Sequence, residues 1–158
     1  MKSGVPMHDE NPIMLSIAPQ YARAILAGLK GVELRRRAPR LQAGTRAWLY
    51  STLPIGEVVA MLTIDKVIEA PLAELWRRYG PHAAIARPAF DAYFAGLDRG
   101  AALIIRDVQA LKEPVSLQAL REEGAFQPPQ FYRRMRAGAP NALLWDSELH
   151  PAVQVALG

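Results

Sequence analysis

Residues 25–37 read Ile25-Leu26-Ala27-Gly28-Leu29-Lys30-Gly31-Val32-Glu33-Leu34-Arg35-Arg36-Arg37. The beginning of this stretch continues an apolar stripe at helical spacing, which predicts an amphipathic helix from about Pro19. The stripe consists of Tyr21, Ile25, Leu26 and Leu29. Gly28 and Gly31 weaken the end of the helix and favour a turn, because glycine adopts the left-handed backbone conformation that ends many helices.

The second half of the stretch alternates apolar and charged residues. This period of two predicts a strand over residues 32–37, with Val32 and Leu34 on one face and Glu33, Arg35 and Arg37 on the other. Lys30 lies in the turn between the helix and the strand. We therefore expect its amine to lie at the mouth of the core that these elements form. There it is either exposed to solvent or part of a functional site.

Strands dominate the rest of the sequence, and short helices interrupt them. Apolar and β-branched runs predict strands over residues 13–17, 46–51, 57–67 and 101–111. Apolar stripes predict helices over residues 71–79, 88–94 and 116–122, the last with Ser116 as its N-cap. The elements do not alternate regularly, which argues against a doubly wound parallel sheet. The sequence predicts an α+β fold, a small and partly closed β-barrel with inserted helices.

The length of 158 residues predicts one domain. We expect a flexible N-terminal arm over residues 1–12 and a domain over residues 13–135. Residues 136–158 form a C-terminal extension that is packed on the domain or trails from it. The composition, 51% hydrophobic and 22% charged, is that of a globular protein rather than a disordered one.

Charge and residue usage narrow the classes of function. The net charge of +4 and the isoelectric point near 9.7 suit an anionic partner, although many proteins share them. The absence of cysteine excludes disulfides, thiolate zinc sites and cysteine nucleophiles. His8, His82 and His150 lack metal-ligand spacing, and no phosphate-binding loop or dinucleotide fingerprint occurs, so we predict neither a metal nor a cofactor. With no apolar leader and no membrane-length apolar run, we expect a cytoplasmic protein without a membrane partner.

Three segments resemble the ASCH family of the PUA-like superfamily. The first runs from Leu15 through the stretch above, where a glycine, a lysine two positions later and Glu33-Leu34-Arg35 are similar to the family's most recognisable element. The second is Leu49-Tyr50-Ser51-Thr52-Leu53-Pro54, and the third is Pro128-Pro129-Gln130-Phe131-Tyr132. The resemblance covers roughly residues 13–135 and implies a compact β-barrel with helices at its rim. Relatives in the superfamily bind RNA or DNA, some ASCH proteins hydrolyse acetylated cytidine, and another is a ribonuclease.

The resemblance implies a site for RNA or another single-stranded nucleic acid, with a pocket for one base, either modified or unmodified. Its expected nucleic-acid-binding residues are Ser16, Lys30, Glu33, Arg35, Arg36, Arg37, Tyr50, Ser51, Thr52, Gln130 and Tyr132. An alternative is a hydrolase that acts on an acylated nucleoside or on RNA, with Lys30 as base or oxyanion stabiliser and Glu33 as its partner. A third hypothesis is a domain that binds a small metabolite.

One departure from the family pattern bears on the hydrolase hypothesis. In the branch that hydrolyses acetylated cytidine, a threonine follows the lysine by three positions, and here that residue is Glu33. The hydroxyl expected at that place is therefore missing, and direct transfer of that activity is in doubt. Ser51 and Thr52 are the alternative sources of a hydroxyl on the next strand.

Overall fold

The computed structural model describes residues 11–122, 124–135, 144 and 147–151. The strands are β1 (Ile13–Ile17), β2 (Val32–Arg35), β3 (Thr45–Ser51), β4 (Glu57–Pro71), β5 (Arg99–Ser116), β6 (Tyr132–Arg134) and β7 (Leu149–Pro151). The α-helices with described bounds are α1 (Pro19–Leu26), α2 (Leu72–Tyr79), α3 (Arg87–Tyr93) and α4 (Leu117–Arg121), with a 3-10 turn at Gly80–His82. The predicted α+β class is confirmed.

All seven strands belong to one mixed sheet. Its order is β2-β5-β4-β3-β1-β6, and β7 pairs with β5 beside this path. Strands β1 and β3 are parallel, and every other pair in the described residues is antiparallel.

The sheet curls, and one side-chain contact shows how far. Strands β2 and β1 are separated by four strand spacings along the path, about 19 Å in a flat sheet. Yet Nη2 of Arg35 on β2 donates a hydrogen bond of 2.8 Å to the carbonyl oxygen of Ser16 on β1. An arginine side chain cannot bridge the flat distance, so the two ends of the sheet are brought together. The described ladders do not join β2 to β6, and the barrel is therefore open at this seam.

Three apolar clusters stabilise the two faces of the sheet and the added helices. The main cluster lies between β1, β3, β4 and β5, and helix α1 covers it with Ala22 and Ile25. A second cluster, with Met14, Trp48 and Tyr50, lies on the other face beside helix α4. The third joins helices α2 and α3 to β2 and β5 through Leu75, Phe90 and Phe94. Helices α2 and α3 thus form a unit that stands at the open seam.

Several predicted boundaries were wrong. Strand β2 ends at Arg35 instead of residue 37, because it pairs with β5 only over Val32–Arg35. Arg37 therefore lies beyond the strand and does not continue the face of Glu33 and Arg35. Strands β4 and β5 run to residues 71 and 116, past the predicted 67 and 111, because each extends the other's hydrogen-bond ladder.

The termini are only partly described. The proposed N-terminal arm falls outside the described residues except for Asn11 and Pro12, and the domain boundaries remain predictions. In the C-terminal extension, Leu149–Pro151 pairs with Gln109–Leu111 of β5. None of the helices in the described part of the chain combines the length and apolar character needed to span a membrane.

Candidate nucleic-acid site

Lys30 is buried by the turn that follows helix α1. The helix ends at Leu26, Gly28 follows with a φ of +77°, and the amides of Leu29 and Lys30 both bond back to the carbonyl of Ala24. This is a helix C-terminus of the kind that glycine permits. The chain reverses there, and Gly31 then donates to the carbonyl of His82 in the 3-10 turn. Lys30 is thereby enclosed between helix α1 and the α2–α3 unit, and only 4% of its surface is exposed.

The buried amine has an oxygen partner on each side. Nζ of Lys30 donates a 2.6 Å hydrogen bond to the carbonyl of Ala83 and lies 3.5 Å from Oε1 of Glu33. The Tyr21 ring is also close, with its centroid 4.9 Å from Nζ. Burial lowers the pKa of Lys30, and the carboxylate of Glu33 opposes part of that decrease. The amine therefore loses its proton at a lower pH than an exposed lysine does.

Arg35 continues this charged cluster towards the seam. Its Nη2 lies 2.8 Å from Oε2 of Glu33 and also 2.8 Å from the Ser16 carbonyl oxygen. Its Cζ lies 4.1 Å from the centroid of the Phe131 ring. Glu33 thus stands between two cations, and it shares its face of the sheet with Arg35, as the period of two in β2 predicts. In-plane contacts and the aromatic ring fix the guanidinium in one position.

Ser16 and the segment after helix α4 form the opposite side of the seam. Oγ of Ser16 donates a 2.6 Å hydrogen bond to the carbonyl of Pro129, and the Ser16 amide donates to the carbonyl of Phe131 at 2.8 Å. These bonds hold residues 128–132, an aromatic turn, against β1. Gln130 remains exposed between them.

These groups surround a cleft of about 310 Å³ at the open seam. Its lining residues are Ser16, Ala18, Tyr21, Lys30, Glu33, Leu34, Arg35, Thr52, Ile85, Ala89, Tyr93 and Gln130. Six of them were expected from the sequence, namely Ser16, Lys30, Glu33, Arg35, Thr52 and Gln130. The cleft combines one carboxylate, two cations, aromatic rings and an exposed amide.

The other expected residues lie away from the described lining. Tyr50 is buried in the second cluster, on the opposite face of the sheet, because it shares the alternation of Trp48 in β3. Ser51 is buried at the end of β3, while the next residue, Thr52, reaches the cleft. Tyr132 packs edge to face on Phe131, with ring centroids 4.8 Å apart. It therefore supports the turn rather than lining the cleft.

Arg36 and Arg37 are exposed beyond the end of β2. Nη1 of Arg36 donates to the carbonyls of Tyr93 and Ala95 at 2.7 and 3.2 Å, and so holds the C-terminus of helix α3. Arg37 has no hydrogen bond or ion pair to another described residue. Of the two, Arg37 is the cation that stays available at the surface.

The sequence interpretation missed the wall supplied by the α2–α3 unit. Tyr93 lies in the predicted helix over residues 88–94 and was not among the expected site residues, but it lines the cleft and is partly exposed. Burial raises the pKa of Tyr93, so its hydroxyl remains a hydrogen-bond donor in neutral solution. Tyr21 belonged to a helical stripe, and Ile85 lay in a segment without a pattern. Only the packing of α2 and α3 at the seam brings these residues together.

Among the residues that the structure describes, no group of three or more histidine, aspartate or glutamate residues has a geometry suited to a metal ion. The polar groups that line the cleft are an amine, a carboxylate, a guanidinium, an amide and hydroxyl groups.

Comparison with known proteins identifies several relatives of this chain. No family model matches the chain. It is 35% identical over 123 residues to an ASCH domain-containing ribonuclease of Zymomonas mobilis, a match that covers 77% of this chain and 82% of the relative. It is also 25% identical over 105 residues to the large ribosomal subunit protein uL22 of Ureaplasma parvum, where the match covers 66% of this chain and 34% of that protein.

Solved structures agree with the first of these relatives. The crystal structure of the ASCH protein from Zymomonas mobilis superposes with a TM-score of 0.81 at 31% identity, covering 94% of this chain and all of that chain. A serine-to-alanine variant of the same protein gives a TM-score of 0.80 at 31% identity and covers 89% of this chain and 99% of its own. Sequence and fold thus agree over most of both proteins, and the chain belongs to the ASCH domain family of the PUA-like superfamily.

Proposed function

We propose that this protein binds single-stranded RNA and takes one nucleotide into the cleft at the seam. The observation that carries the proposal is the buried Lys30–Glu33–Arg35 cluster, which opens into a cleft of about 310 Å³. Two cations against one carboxylate leave the cluster with a net charge of +1. A small volume of this kind suits one nucleoside rather than a duplex.

The surroundings of the cluster support the same assignment. Tyr21 and Tyr93 supply aromatic surface, and the amide of Gln130 offers both a donor and an acceptor to a base edge. Exposed Arg37 lies just beyond the end of β2 and suits a phosphate that flanks the bound nucleotide. The relative from Zymomonas mobilis is named as a ribonuclease, which supports RNA as the partner.

The test is fluorescence anisotropy with a short labelled RNA over a series of salt concentrations. Wild type is compared with Lys30→Met, which removes the buried amine and keeps the aliphatic stem, and with Arg46→Ala. Arg46 is exposed near the N-terminal end of β3, about 20 Å along the strand from Thr52. We expect salt-dependent binding that Lys30→Met weakens and Arg46→Ala retains. Absence of binding at low salt, or equal binding by Lys30→Met, contradicts the proposal.

A second candidate function is cleavage of the bound RNA, and the lowered pKa of Lys30 favours it. A neutral amine uses two N–H groups for Ala83 and Glu33 and keeps a lone pair for a proton. In this reaction Lys30 accepts the proton of a ribose 2′-hydroxyl, whose oxygen bonds to the adjacent phosphorus. The bond from phosphorus to the 5′ oxygen breaks, that oxygen takes a proton from water, and the hydroxide left behind takes up the proton that Lys30 had accepted. The products are a 2′,3′-cyclic phosphate and a 5′-hydroxyl end.

Cleavage is tested with an RNA and with the same sequence carrying a single 2′-deoxy position. We expect the deoxy substitution to block cleavage at that position. Lys30→Arg keeps the charge but cannot accept a proton near neutral pH. It should therefore reduce cleavage much more than it reduces RNA binding. Cleavage that survives in Lys30→Arg contradicts a proton-accepting role. Turnover of an acetylated nucleoside in place of RNA would instead favour the acyl-nucleoside hypothesis, with Thr52 as the hydroxyl at the cleft.

A further inference from the structure

Arg35 is positioned to do something other than hold a phosphate. A guanidinium offers two forked edges for a bidentate anion, one between Nε and Nη2 and one between Nη1 and Nη2. Both edges include Nη2, and Nη2 already lies 2.8 Å from Glu33 Oε2 and 2.8 Å from the Ser16 carbonyl oxygen. A phosphate would have to displace the carboxylate or the backbone oxygen to use either edge.

The faces of the same guanidinium are not equivalent. Phe131 covers one face, with 4.1 Å between Cζ and the ring centroid. Tyr132 packs against the edge of Phe131, so the ring is itself held in place. Arg35 nevertheless lines the cleft. What the cleft receives from this residue is therefore chiefly the face that points away from Phe131.

We propose that the free face of Arg35 is the stacking platform for the base of the bound nucleotide, in a stack of Phe131, Arg35 and base. Guanidinium planes stack on aromatic rings and on nucleobases alike, because both present a π face to a planar cation. Glu33 and Ser16 fix the plane, so little rotational entropy is lost when the base docks. Arg35 thereby selects a planar ring, and the hydrogen-bonding groups around it, such as Gln130, select among rings.

This inference rests on the proposed function and names the group that would recognise the base. It also assigns Phe131 a role although that residue does not line the cleft. Phe131 acts through Arg35 as a positioning residue, and its loss should reduce base recognition without removing any group that contacts the ligand.

The experiment compares ligands that differ only in the base. Adenosine and uridine 5′-monophosphates and ribose 5-phosphate are titrated into wild type, Arg35→Lys, Phe131→Leu and Arg46→Lys, and binding is followed by NMR. Arg46→Lys is the matched control, since it makes the same change at an exposed arginine that does not line the cleft. We expect the nucleotides to bind wild type and Arg46→Lys about tenfold more tightly than ribose 5-phosphate does, the range typical of one stacked base.

Arg35→Lys keeps the charge and loses the plane, so the advantage of the nucleotides should shrink to near equality, and Phe131→Leu should reduce it in the same direction. The Nε–H signal of Arg35 provides an independent readout, because Nε is buried and has no hydrogen-bond partner among the described residues. A stacked base moves this signal upfield by its ring current.

Three outcomes overturn the inference. Ribose 5-phosphate binding as tightly as the nucleotides would show a phosphate site without base recognition, and no nucleotide binding would leave no base to stack. A nucleotide advantage that survives in Arg35→Lys would place the base elsewhere. If RNA binding that depends on Lys30 persists in any of these cases, the proposed function stands and only the stacking assignment fails. If nucleotides stack but RNA does not bind, the proposed function fails and the cleft belongs to a small metabolite.

Discussion

At the scale of the residue, Lys30 is the group whose environment departs most from that of an ordinary lysine. The turn after Gly28 buries its amine, and Glu33 and the Ala83 carbonyl partly replace the lost water. Burial of a cation is tolerated because these oxygens are in place, and the same burial lowers its pKa. One side chain thus links the stability of the seam to the chemistry of the cleft.

The lowered pKa of Lys30 makes a prediction about stability. Between its folded pKa and the ordinary value of 10.5, the unfolded chain binds this proton and the folded chain does not. The free energy of unfolding of wild type relative to Lys30→Met should therefore rise with pH across that window. Urea unfolding of both proteins at neutral pH and near pH 10 measures the difference. A difference that stays constant or falls would show that the pKa is not lowered by folding.

Ser16 supports a second prediction at this scale. Its hydroxyl satisfies the Pro129 carbonyl at 2.6 Å and so ties the aromatic turn to β1. Ser16→Ala should lower the free energy of unfolding by about 1 kcal/mol, the usual contribution of one such bond. It should also weaken ligand binding, because Gln130 and Phe131 lose their anchor. Urea unfolding and ligand titration test this, with Thr45→Ala as a control at an exposed hydroxyl that bonds only to the nearby Gln42 carbonyl. Equal effects of the two variants on binding would contradict the role of Ser16.

At the scale of the element, the α2–α3 unit turns an open edge of the sheet into a walled cleft. Hydrogen bonds fix this unit to the seam. The Gly31 amide donates to the His82 carbonyl, and Arg36 donates to the carbonyls at the end of helix α3. The apolar side of the unit packs on β2 and β5. The wall residues Ile85, Ala89 and Tyr93 are therefore placed by packing that lies outside the cleft.

A substitution at Gly100 tests how tightly helices α2 and α3 pack on the sheet. A Cβ at this position would lie 2.4 Å from Cε1 of Phe94 and 3.0 Å from Cδ1 of Leu75. Gly100→Ala should push Phe94 out of place and lower the free energy of unfolding by about 1–3 kcal/mol, the usual cost of overpacking. Combining it with Phe94→Leu should restore part of the loss. Urea unfolding of the two single variants and the double variant measures this coupling, and strict additivity would count against the contact.

At the scale of the whole molecule, charge and shape act together at the seam. The net charge of +4 attracts anionic molecules from any direction, whereas the cleft lies only at the seam where the sheet stays open. Arginines 36 and 37 stand at the same end of β2, and the first is occupied by helix α3. The long-range attraction is thus general, while the point of entry is set by the fold.

Arg37 and Arg46 separate these two contributions. Arg37→Ala should lower the slope of log affinity against log salt by about 0.7 for a single-stranded RNA, the value for one lost phosphate contact. Arg46→Ala, with the same change in net charge at the other end of the sheet, should leave the slope unchanged. Anisotropy titrations over the same salt series measure both. Equal slopes for the two variants would assign RNA attraction to net charge alone.

The sequence by itself determined the class of fold and the turn that carries Lys30. Its glycines, apolar stripe and alternating strand are local patterns, and local backbone preferences depend on neighbours along the chain. Six residues of the cleft could also be predicted from the sequence, since they lie in segments that resemble the ASCH family. The placement of Glu33 and Arg35 on one face followed from the period of a strand.

Only the tertiary structure decided how these segments meet. The curl of the sheet brings Arg35 to Ser16, contacts between residues far apart along the chain place Tyr93 and Ile85 at the cleft, and the same packing puts Tyr50 in a core. The ends of β2, β4 and β5 were likewise set by pairing partners rather than by their own residues. Non-local contacts of this kind depend on which surfaces pack best together, and no pattern within a short stretch of sequence encodes that choice.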